Sequence, residues 1–183
     1  MYTKGDVYWI TGLAGAGKTS IGKLFFKKIK KEAPNTIFLD GDELRSIFNF
    51  NNSFSIESRL SLAYSYSKFC KLLANQNLNV VISTISMFEE VRAWNKKNIH
   101  NYNEIYIKVP MSILLKRDQK KLYSSALAGK IDNVIGVDIE FDEPKYPNLI
   151  CINDGSKTLN KLADEIFFFF NKSRNREIIY DKF

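Results

Sequence analysis

Histidine and cysteine are scarce in this chain of 183 residues, which contains one histidine and two cysteines. His100 follows a predicted helix end and stands beside Asn101 with no partner motif, so we expect a surface side chain. Cys70 and Cys151 lie far apart in apolar segments, which favours buried, reduced thiols over a disulfide. Because the single histidine lies in no catalytic motif and the two cysteines are far apart, we expect neither a histidine-based catalytic triad nor a zinc site built from cysteine and histidine.

Long hydrophobic segments are also missing. The most apolar stretch, Ile166–Phe170, is much too short to span a bilayer. A strand is predicted within a few residues of the polar start of the chain, so we expect no signal peptide, no membrane association and a cytoplasmic location. The hydrophobic fraction of 45% is typical of a folded core, and the length favours a single domain over residues 1–183.

Positive charge exceeds negative charge, and the formal net charge is +7. Such an excess suits either nucleic-acid binding or an enzyme with highly anionic small substrates. The basic run Lys27–Lys31 lies at a predicted helix end, where cations complement the helix dipole. Because no helical arginine stripe is present, we expect a small-molecule partner and no nucleic acid. A steep salt dependence of DNA or RNA binding would support the alternative.

Apolar strands alternate with amphipathic helices along the chain, and this pattern predicts an α/β fold. The predicted strands are Asp6–Thr11, Asn35–Asp40, Asn79–Thr84, Glu104–Val109 and Asn148–Asn153. The predicted helices are Lys18–Lys31, Glu43–Phe48, Ser58–Ala74, Phe88–Asn98, a helix from Pro110 to Gly129 that is broken near Asp118, and Leu159–Asn171. Together they imply a five-stranded parallel sheet with helices on both faces.

Ligands of such sheets bind at the carboxyl ends of the strands. The long, charged and weakly periodic segment Lys130–Pro147 is typical of a lid, which we place over about residues 118–147. Residues from about 172 to 183 are predicted to be a surface tail or to pack across a homodimer. The run Phe167–Phe170 fits either a core helix or a subunit interface.

A glycine-rich turn follows the first predicted strand. Residues Gly12–Thr19 fit the phosphate-binding pattern G-x-x-x-x-G-K-[ST]. Glycines let backbone N–H groups approach a phosphate cluster, and the following helix aims its positive end at the same place. We predict that Lys18 reaches the β- and γ-phosphates of ATP and that Thr19 is a ligand of Mg²⁺. The predicted ATP-binding residues are Gly12, Leu13, Ala14, Gly15, Ala16, Gly17, Lys18, Thr19 and Ser20.

The carboxylates that accompany this loop are in an unusual place. No guanine-reading N-K-x-D motif is present, and the strand Asn79–Thr84 ends in Ser and Thr rather than Asp. The nearest carboxylates are Asp40 and Asp42, which flank a glycine after the second predicted strand. One carboxylate can orient Mg²⁺, and the other can accept a proton from an attacking hydroxyl. The alternative is that Asp42 only caps the helix Glu43–Phe48.

Several segments, taken in order, resemble the adenylylsulfate kinase family. They are GLAGAGKTSIGK, FLDGDELR, FSIESR, VISTISMFEEVR, VPMSILLKRDQKKLYSSALAGKI and GVDIEFDEP, and they extend over about Tyr8–Asn153. The resemblance implies a P-loop kinase with a lid that is often a dimer. It also implies transfer of the γ-phosphoryl of ATP to the 3′-hydroxyl of a nucleotide whose 5′-phosphate carries a second group.

The resemblance further implies roles for individual residues. Asp42 is the implied base, and Lys18 and Lys120 are the other implied catalytic residues. Asp40 joins Thr19 at the metal, and Arg117 lies with Lys120 in a lid segment above ATP, where a cation stabilises the transferring group. The implied acceptor-binding residues are Asp40, Asp42, Arg45, Phe54, Arg59, Ile85, Ser86, Lys120 and Val134.

The chain departs from the family mainly on the acceptor side. Tyr64 replaces an acceptor-binding arginine, and Val134 replaces the second aromatic ring of a sandwich around the base, so that Phe54 is left as the first. Met87 replaces the proline of an I-S-P motif, and Lys121 replaces a lid glycine. Loss of one ring and one cation favours a smaller base and a less charged 5′ group than those of adenylylsulfate.

One relative of the family fits these changes. Cytidine diphosphoramidate kinase resembles adenylylsulfate kinase but phosphorylates a cytidine 5′-diphosphoramidate for capsule decoration. Our first hypothesis is therefore a Mg²⁺- and ATP-dependent nucleotide 3′-kinase with this acceptor. The alternatives are an adenylylsulfate kinase that makes 3′-phosphoadenylylsulfate and, from another class, a nucleotide-binding module without catalytic activity.

Overall fold

The computed structural model describes residues 4–49 and 54–180, with side chains as far as residue 172. Five parallel strands form one sheet in the order β2-β3-β1-β4-β5. The strands are β1 Asp6–Thr11, β2 Thr36–Asp40, β3 Asn79–Ser83, β4 Asn101–Lys108 and β5 Leu149–Ile152. The helices are α1 Lys18–Glu32, α2 Gly41–Ile47, α3 Ile56–Asn75, α4 Glu89–Asn98, α5 Met111–Arg117, α6 Leu122–Leu127 and α7 Leu159–Tyr180. The predicted α/β class is confirmed.

Helices cover both faces of the sheet because its central strands are apolar on both sides. Tyr8 and Ile10 of β1 pack in one layer with α1 and α7, whereas Val7 and Trp9 pack in the other with α3 and α4. Every residue of β3 is buried, as expected for a central parallel strand. This arrangement places β1, and the loop that follows it, in the middle of the carboxyl edge.

The start of β4 differs from the prediction. The strand begins at Asn101 rather than Glu104, because Asn101–Asn103 pair in register with Asp6–Tyr8 although most of these side chains are polar. The predicted break near Asp118 is confirmed, since α5 ends at Arg117 and a 3-10 turn follows it.

The end of α7 also differs. The helix continues to Tyr180 rather than stopping at Asn171, because no Gly or Pro follows that would end it. The predicted tail is therefore helical as far as residue 180, and residues 181–183 lie outside the described part of the chain. All other helix and strand boundaries agree with prediction within two residues.

The predictions for the scarce residues are confirmed. Cys70 and Cys151 are both buried and unpaired, and His100 is exposed. Over residues 4–49 and 54–180, no helix is both long enough and apolar enough to cross a membrane.

Candidate active site

The predicted site residues come together at the carboxyl edge of the sheet because the segments that follow parallel strands share that edge. The glycine loop follows β1, the two aspartates are at and just after the end of β2, and Ile85 and Ser86 follow β3. Val109 leads from β4 into α5, and Asn153 follows β5.

The glycine loop has the backbone geometry of a phosphate-binding turn. Gly15 has φ 74°, and Gly17 has φ 90° and forms the N-cap of α1 in a left-handed conformation. A Cβ at Gly17 would lie 2.8 Å from Nδ2 of Asn153, so glycine is also required for space. The N-terminus of α1, which is the positive end of its dipole, therefore points directly at the loop.

Four consecutive carbonyl groups of this loop accept hydrogen bonds from side chains. Nζ of Lys18 donates to the oxygen of Leu13 at 2.8 Å, and the Tyr123 hydroxyl donates to that of Ala14 at 2.8 Å. Arg117 Nη1 donates to the Gly15 oxygen at 3.4 Å, and Asn153 Nδ2 donates to the Ala16 oxygen at 2.9 Å. Side chains from four parts of the chain thus fix the path of one short turn.

Lys18 is the buried cation of the site. Desolvation lowers the pKa of Lys18 to about 8, although the negative charges of Asp42 and Asp40 oppose the shift. A lysine with this pKa is mostly charged at pH 7 and loses its charge at mildly alkaline pH. Phosphate groups bound in the loop would favour its charged form.

The two aspartates have different environments. Asp40 is 8% exposed; Oδ2 accepts from the Thr19 hydroxyl at 2.7 Å, and Oδ1 accepts from the backbone N–H of Asp42 at 2.9 Å. Asp40, rather than Asp42, is therefore the N-cap of α2, and the alternative role of Asp42 as the cap is wrong. The carboxylate of Asp42 is exposed and close to the charge of Lys18.

The pair formed by Thr19 and Asp40 fits a hard divalent cation. A hydroxyl and a carboxylate oxygen beside a phosphate cradle are the donors that Mg²⁺ prefers, together with phosphate oxygens and water. Within the described residues no group of three or more His, Cys, Asp or Glu side chains is placed to hold a metal. The donor set is thus suited to a metal that arrives with a nucleotide.

Two guanidinium groups contact the ring of Phe54 on the predicted acceptor side. The Arg45 guanidinium is 4.8 Å from the ring centroid and that of Arg59 is 5.3 Å from it. Burial, followed by the like charge of Arg45, lowers the pKa of Arg59, while Asp138 opposes the shift. Two mutually repelling cations beside an aromatic ring form a site for an anionic group attached to a flat base.

Arg59 also joins this site to the segment between α6 and β5. Its Nη2 donates to the backbone oxygen of Asn133 at 2.7 Å, and its Nε donates to that of Phe54 at 2.9 Å. The backbone N–H groups of Asn133 and Val134 donate to the Asp138 carboxylate. Val134 itself is 5% exposed and packs in the apolar layer of α1 and α7.

The loop after β3 is tied to β1. The Thr11 hydroxyl donates to the backbone oxygen of Ile85, and the hydroxyls of Thr84 and Ser86 are 2.8 Å apart. Ser86 has φ 26°, which brings the loop close to the left-handed region. Ile85 and Ser86 are thus held beside the end of β1.

The end of α5 and the start of the predicted lid contact the glycine loop. Besides its contact with Gly15, Arg117 donates through Nη2 to the backbone oxygen of Asn153 at 3.0 Å. The Gln119 side chain would lie 3.5 Å from a Cβ at Gly15. Lys120 and Lys121 are exposed and both have left-handed φ values, 57° and 56°.

Tyr64, which was predicted to replace a family arginine, contacts α4. Its hydroxyl donates to Oε2 of Glu90 at 3.2 Å, and its ring meets Trp94 edge to face. Burial and the negative charge of Glu90 raise the pKa of Tyr64, so the hydroxyl keeps its proton and remains a donor.

Three contributors to the site were not predicted. Tyr123 and Asn153 hold loop carbonyls, and the Tyr66 hydroxyl donates to the Gly41 oxygen at 2.6 Å between the two aspartates. The sequence did offer a signal for Asn153, since it is the last residue of a predicted strand and so lies at the carboxyl edge of the sheet. No sequence pattern indicated Tyr66 or Tyr123, because their hydrogen-bond partners are main-chain oxygens, which any residue provides.

A glycine loop at the N-terminus of α1, a buried lysine and two carboxylates at the carboxyl end of β2 define a phosphotransferase of the P-loop class. The sequence profile of the adenylylsulphate kinase family matches residues 4–152. The chain belongs to this family, and it is a phosphotransferase that acts on a hydroxyl group.

Individual relatives give the same result. Cytidine diphosphoramidate kinase of Campylobacter jejuni is 43% identical over 166 residues, which cover 91% of this chain and 95% of that protein. A probable adenylyl-sulfate kinase of Archaeoglobus fulgidus is 33% identical over 148 residues, covering 81% and 96%. The solved APS kinase of Mycobacterium tuberculosis, in complex with AMPPNP and APS, has a TM-score of 0.83 at 30% identity, covering 93% of this chain and 99% of that one.

Proposed function

We propose that this chain transfers the γ-phosphoryl group of Mg²⁺-ATP to the 3′-hydroxyl of cytidine 5′-diphosphoramidate. One observation carries the choice of acceptor. The 43% identity to cytidine diphosphoramidate kinase extends over 91% of the chain. The predicted replacement of an acceptor-binding arginine by Tyr64, whose hydroxyl donates to Glu90, agrees with this choice. The proposed setting is capsule modification in the cytoplasm.

The geometry supports a simple mechanism. Asp42 is exposed beside Lys18 and can accept the proton of the attacking 3′-hydroxyl. Lys18, Arg117 and Lys120 supply positive charge for the phosphoryl group in transfer. Thr19 and Asp40 would hold Mg²⁺, which neutralises phosphate charge when it is bound. Residues 12–20 would cradle the ATP phosphates.

The acceptor would be held on the other side of Asp42. Phe54 provides a stacking surface for the base, and Arg45 and Arg59 provide positive charge for the diphosphate. Ile85, Ser86 and Val134 would shape the wall beyond it. Closure of residues 118–147 over both nucleotides would exclude water.

A second candidate acceptor is adenylylsulfate, because the family profile and the solved complex with AMPPNP and APS belong to kinases of that compound. The test is ADP release by the purified protein with Mg²⁺-ATP and one acceptor at a time. Turnover with cytidine diphosphoramidate, far above that with adenylylsulfate, is the expected result. The reverse preference would contradict the proposed acceptor. If neither acceptor led to ADP release, the result would favour a nucleotide-binding module without activity.

The homodimer also belongs to the proposal. Phe168 and Phe169 of α7 are 58% and 41% exposed, which leaves apolar surface for a second copy. Sedimentation of the full chain tests this part: the expected mass is twice that of one chain, and a monomer at micromolar concentration would contradict it.

A further inference from the structure

One peptide group lies between the two aspartates of the site, and both of its polar atoms are held. It links Gly41 to Asp42 at the start of α2. Its N–H donates to Oδ1 of Asp40 at 2.9 Å. Its carbonyl oxygen accepts from the hydroxyl of Tyr66 at 2.6 Å. Because a peptide group is planar, these two hydrogen bonds fix its orientation, and with it the Cα atom of Asp42, which lies in the same plane.

The turn that contains this peptide group is packed closely against the end of β3. A Cβ at Gly41 would lie 3.0 Å from the backbone oxygen of Ser83 and 3.2 Å from the side chain of Thr84. Gly41 is itself buried. The sheet therefore supports the turn directly, and the Tyr66 hydroxyl joins it to α3.

Tyr66 has a fixed environment of its own. Its side chain is buried in the apolar layer of α3 and α4. The centroid of its ring is 6.1 Å from that of Phe48, the C-cap of α2, so Tyr66 contacts both ends of this short helix. Burial raises the pKa of Tyr66, against the opposing charge of Arg45. The hydroxyl therefore keeps its proton at neutral pH and remains a donor.

We propose that Tyr66 is a positioning residue for Asp42, an inference that rests on the proposed function, in which Asp42 is the base. Its hydroxyl holds the peptide group that precedes the base and so keeps the carboxylate within reach of the 3′-hydroxyl of the acceptor. Asp40 holds the other end of the same peptide group, so one planar unit sets the spacing between the proposed metal site and the base. Tyr66 acts through the backbone and takes no part in the proton transfer.

Removing this single hydroxyl tests the role. Tyr66→Phe keeps the buried ring, and we expect it to lower kcat roughly tenfold, because a misplacement of about 1 Å in a reacting group can cost about 10²-fold. The KM values for ATP and for the acceptor should change less than twofold, since the hydroxyl contacts neither the glycine loop nor Phe54. Transfer of radiolabelled phosphate from ATP measures these values for whichever acceptor the wild-type protein uses.

The same substitution in an Asp42→Ala background shows whether Tyr66 acts through the base. Once Asp42 is absent, loss of the hydroxyl should lower kcat less than twofold, because two residues that act as a unit have non-additive effects. A purely structural role would instead give the same tenfold loss in both backgrounds.

Tyr8→Phe is the matched control. It removes the hydroxyl of another buried tyrosine, which donates to Asp6 at the opposite edge of the sheet, and it should leave kcat unchanged. Melting temperatures of all variants verify the fold.

The outcomes separate this inference from the proposed function. If Asp42→Ala is impaired but Tyr66→Phe keeps kcat within twofold, or loses activity equally in both backgrounds, the positioning role is wrong and the proposed function stands. If Asp42→Ala keeps its activity, the proposed base is wrong and the role of Tyr66 fails with it. If the wild-type protein transfers phosphate to neither acceptor, the proposed function and this inference both fail.

Discussion

The ATP side and the acceptor side of this site are built in different ways. On the ATP side, side chains donate hydrogen bonds to the main-chain carbonyls from Leu13 to Ala16. The surface that would receive phosphates is therefore made of backbone atoms held in one shape. On the proposed acceptor side, Arg45 and Arg59 contact the ring of Phe54, which is 47% exposed, and Arg59 also donates to the backbone oxygens of Phe54 and Asn133. A backbone cradle recognises phosphates in any relative, whereas a few exposed side chains can change the acceptor without disturbing the fold.

The largest expected effect separates chemistry from binding. Asp42→Ala should lower turnover by about 10²–10⁴-fold, because a general base is lost. The affinity for a non-hydrolysable ATP analogue should change little, since the Asp42 side chain is exposed beside the loop. Rapid-quench turnover and calorimetric titration measure the two quantities.

Glu43→Ala is the control for Asp42, because it removes the next carboxylate, which is also exposed. It should retain most activity. A large loss of analogue binding in Asp42→Ala would mark that residue as part of the metal site or the fold instead.

The second effect belongs to the acceptor side alone. Phe54→Ala should lower kcat/KM for the acceptor by about 10–100-fold, the usual range for loss of one ring that stacks on a base. KM for ATP should stay the same, because the ATP side does not depend on this ring. Steady-state kinetics with each substrate varied in turn measures both values.

Ile47→Ala provides the control for Phe54, since Ile47 is 69% exposed on the neighbouring helix. Phe54→Trp keeps an aromatic surface and should retain most of the acceptor affinity. Equal losses for ATP and the acceptor in Phe54→Ala would disprove a separate stacking role.

The third effect is a pH dependence confined to the ATP side. With a pKa of about 8, Lys18 is mostly charged at pH 7 and mostly neutral at pH 9. Because phosphates favour the charged form, the affinity for the ATP analogue should fall about tenfold over these two pH units. Fluorescence titration in a series of buffers gives the profile.

Lys18→Arg is the matched variant, because a guanidinium stays charged over this range. Its affinity should be lower but nearly independent of pH. A wild-type affinity that is constant from neutral to alkaline pH would show that Lys18 does not titrate there.

The smallest effect concerns the lid. Lys121 has φ 56°, a conformation that a residue with a Cβ adopts at a cost of about 1 kcal/mol. Lys121→Gly should therefore raise the melting temperature by about 2–4 °C for a chain of this size. Lys121→Ala keeps the strain and should show no gain, and an equal rise in both variants would rule out backbone strain as the cause. Differential scanning calorimetry distinguishes the two results.

The sequence predicted the ATP side well because its signals are local. Gly15, Gly17 and Lys18 follow a spacing that a phosphate cradle requires, and the apolar strand and amphipathic helix around them are visible in the residues. The five-stranded parallel sheet followed from the same alternation, whereas the strand order β2-β3-β1-β4-β5 is visible only in the structure.

The remaining details depend on contacts between distant parts of the chain. The sequence could not tell which of Asp40 and Asp42 caps α2, because either can accept from a backbone N–H of the first turn. Val134 was predicted to face Phe54 as a wall of the site, and its low exposure follows from packing of the lid on the α1 layer. The role of Val134 in acceptor binding remains a prediction.

The hydrogen bonds to the four loop carbonyls have a thermodynamic consequence for nucleotide binding. A phosphate-binding turn that is ordered only by its ligand loses conformational entropy at the moment of binding. Here Tyr123, Asn153 and Arg117 hold the turn through hydrogen bonds within the protein itself, so that entropy is lost when the chain folds. Nucleotide association should therefore show a smaller entropic penalty in the intact protein than after Tyr123→Phe, which releases the Ala14 carbonyl.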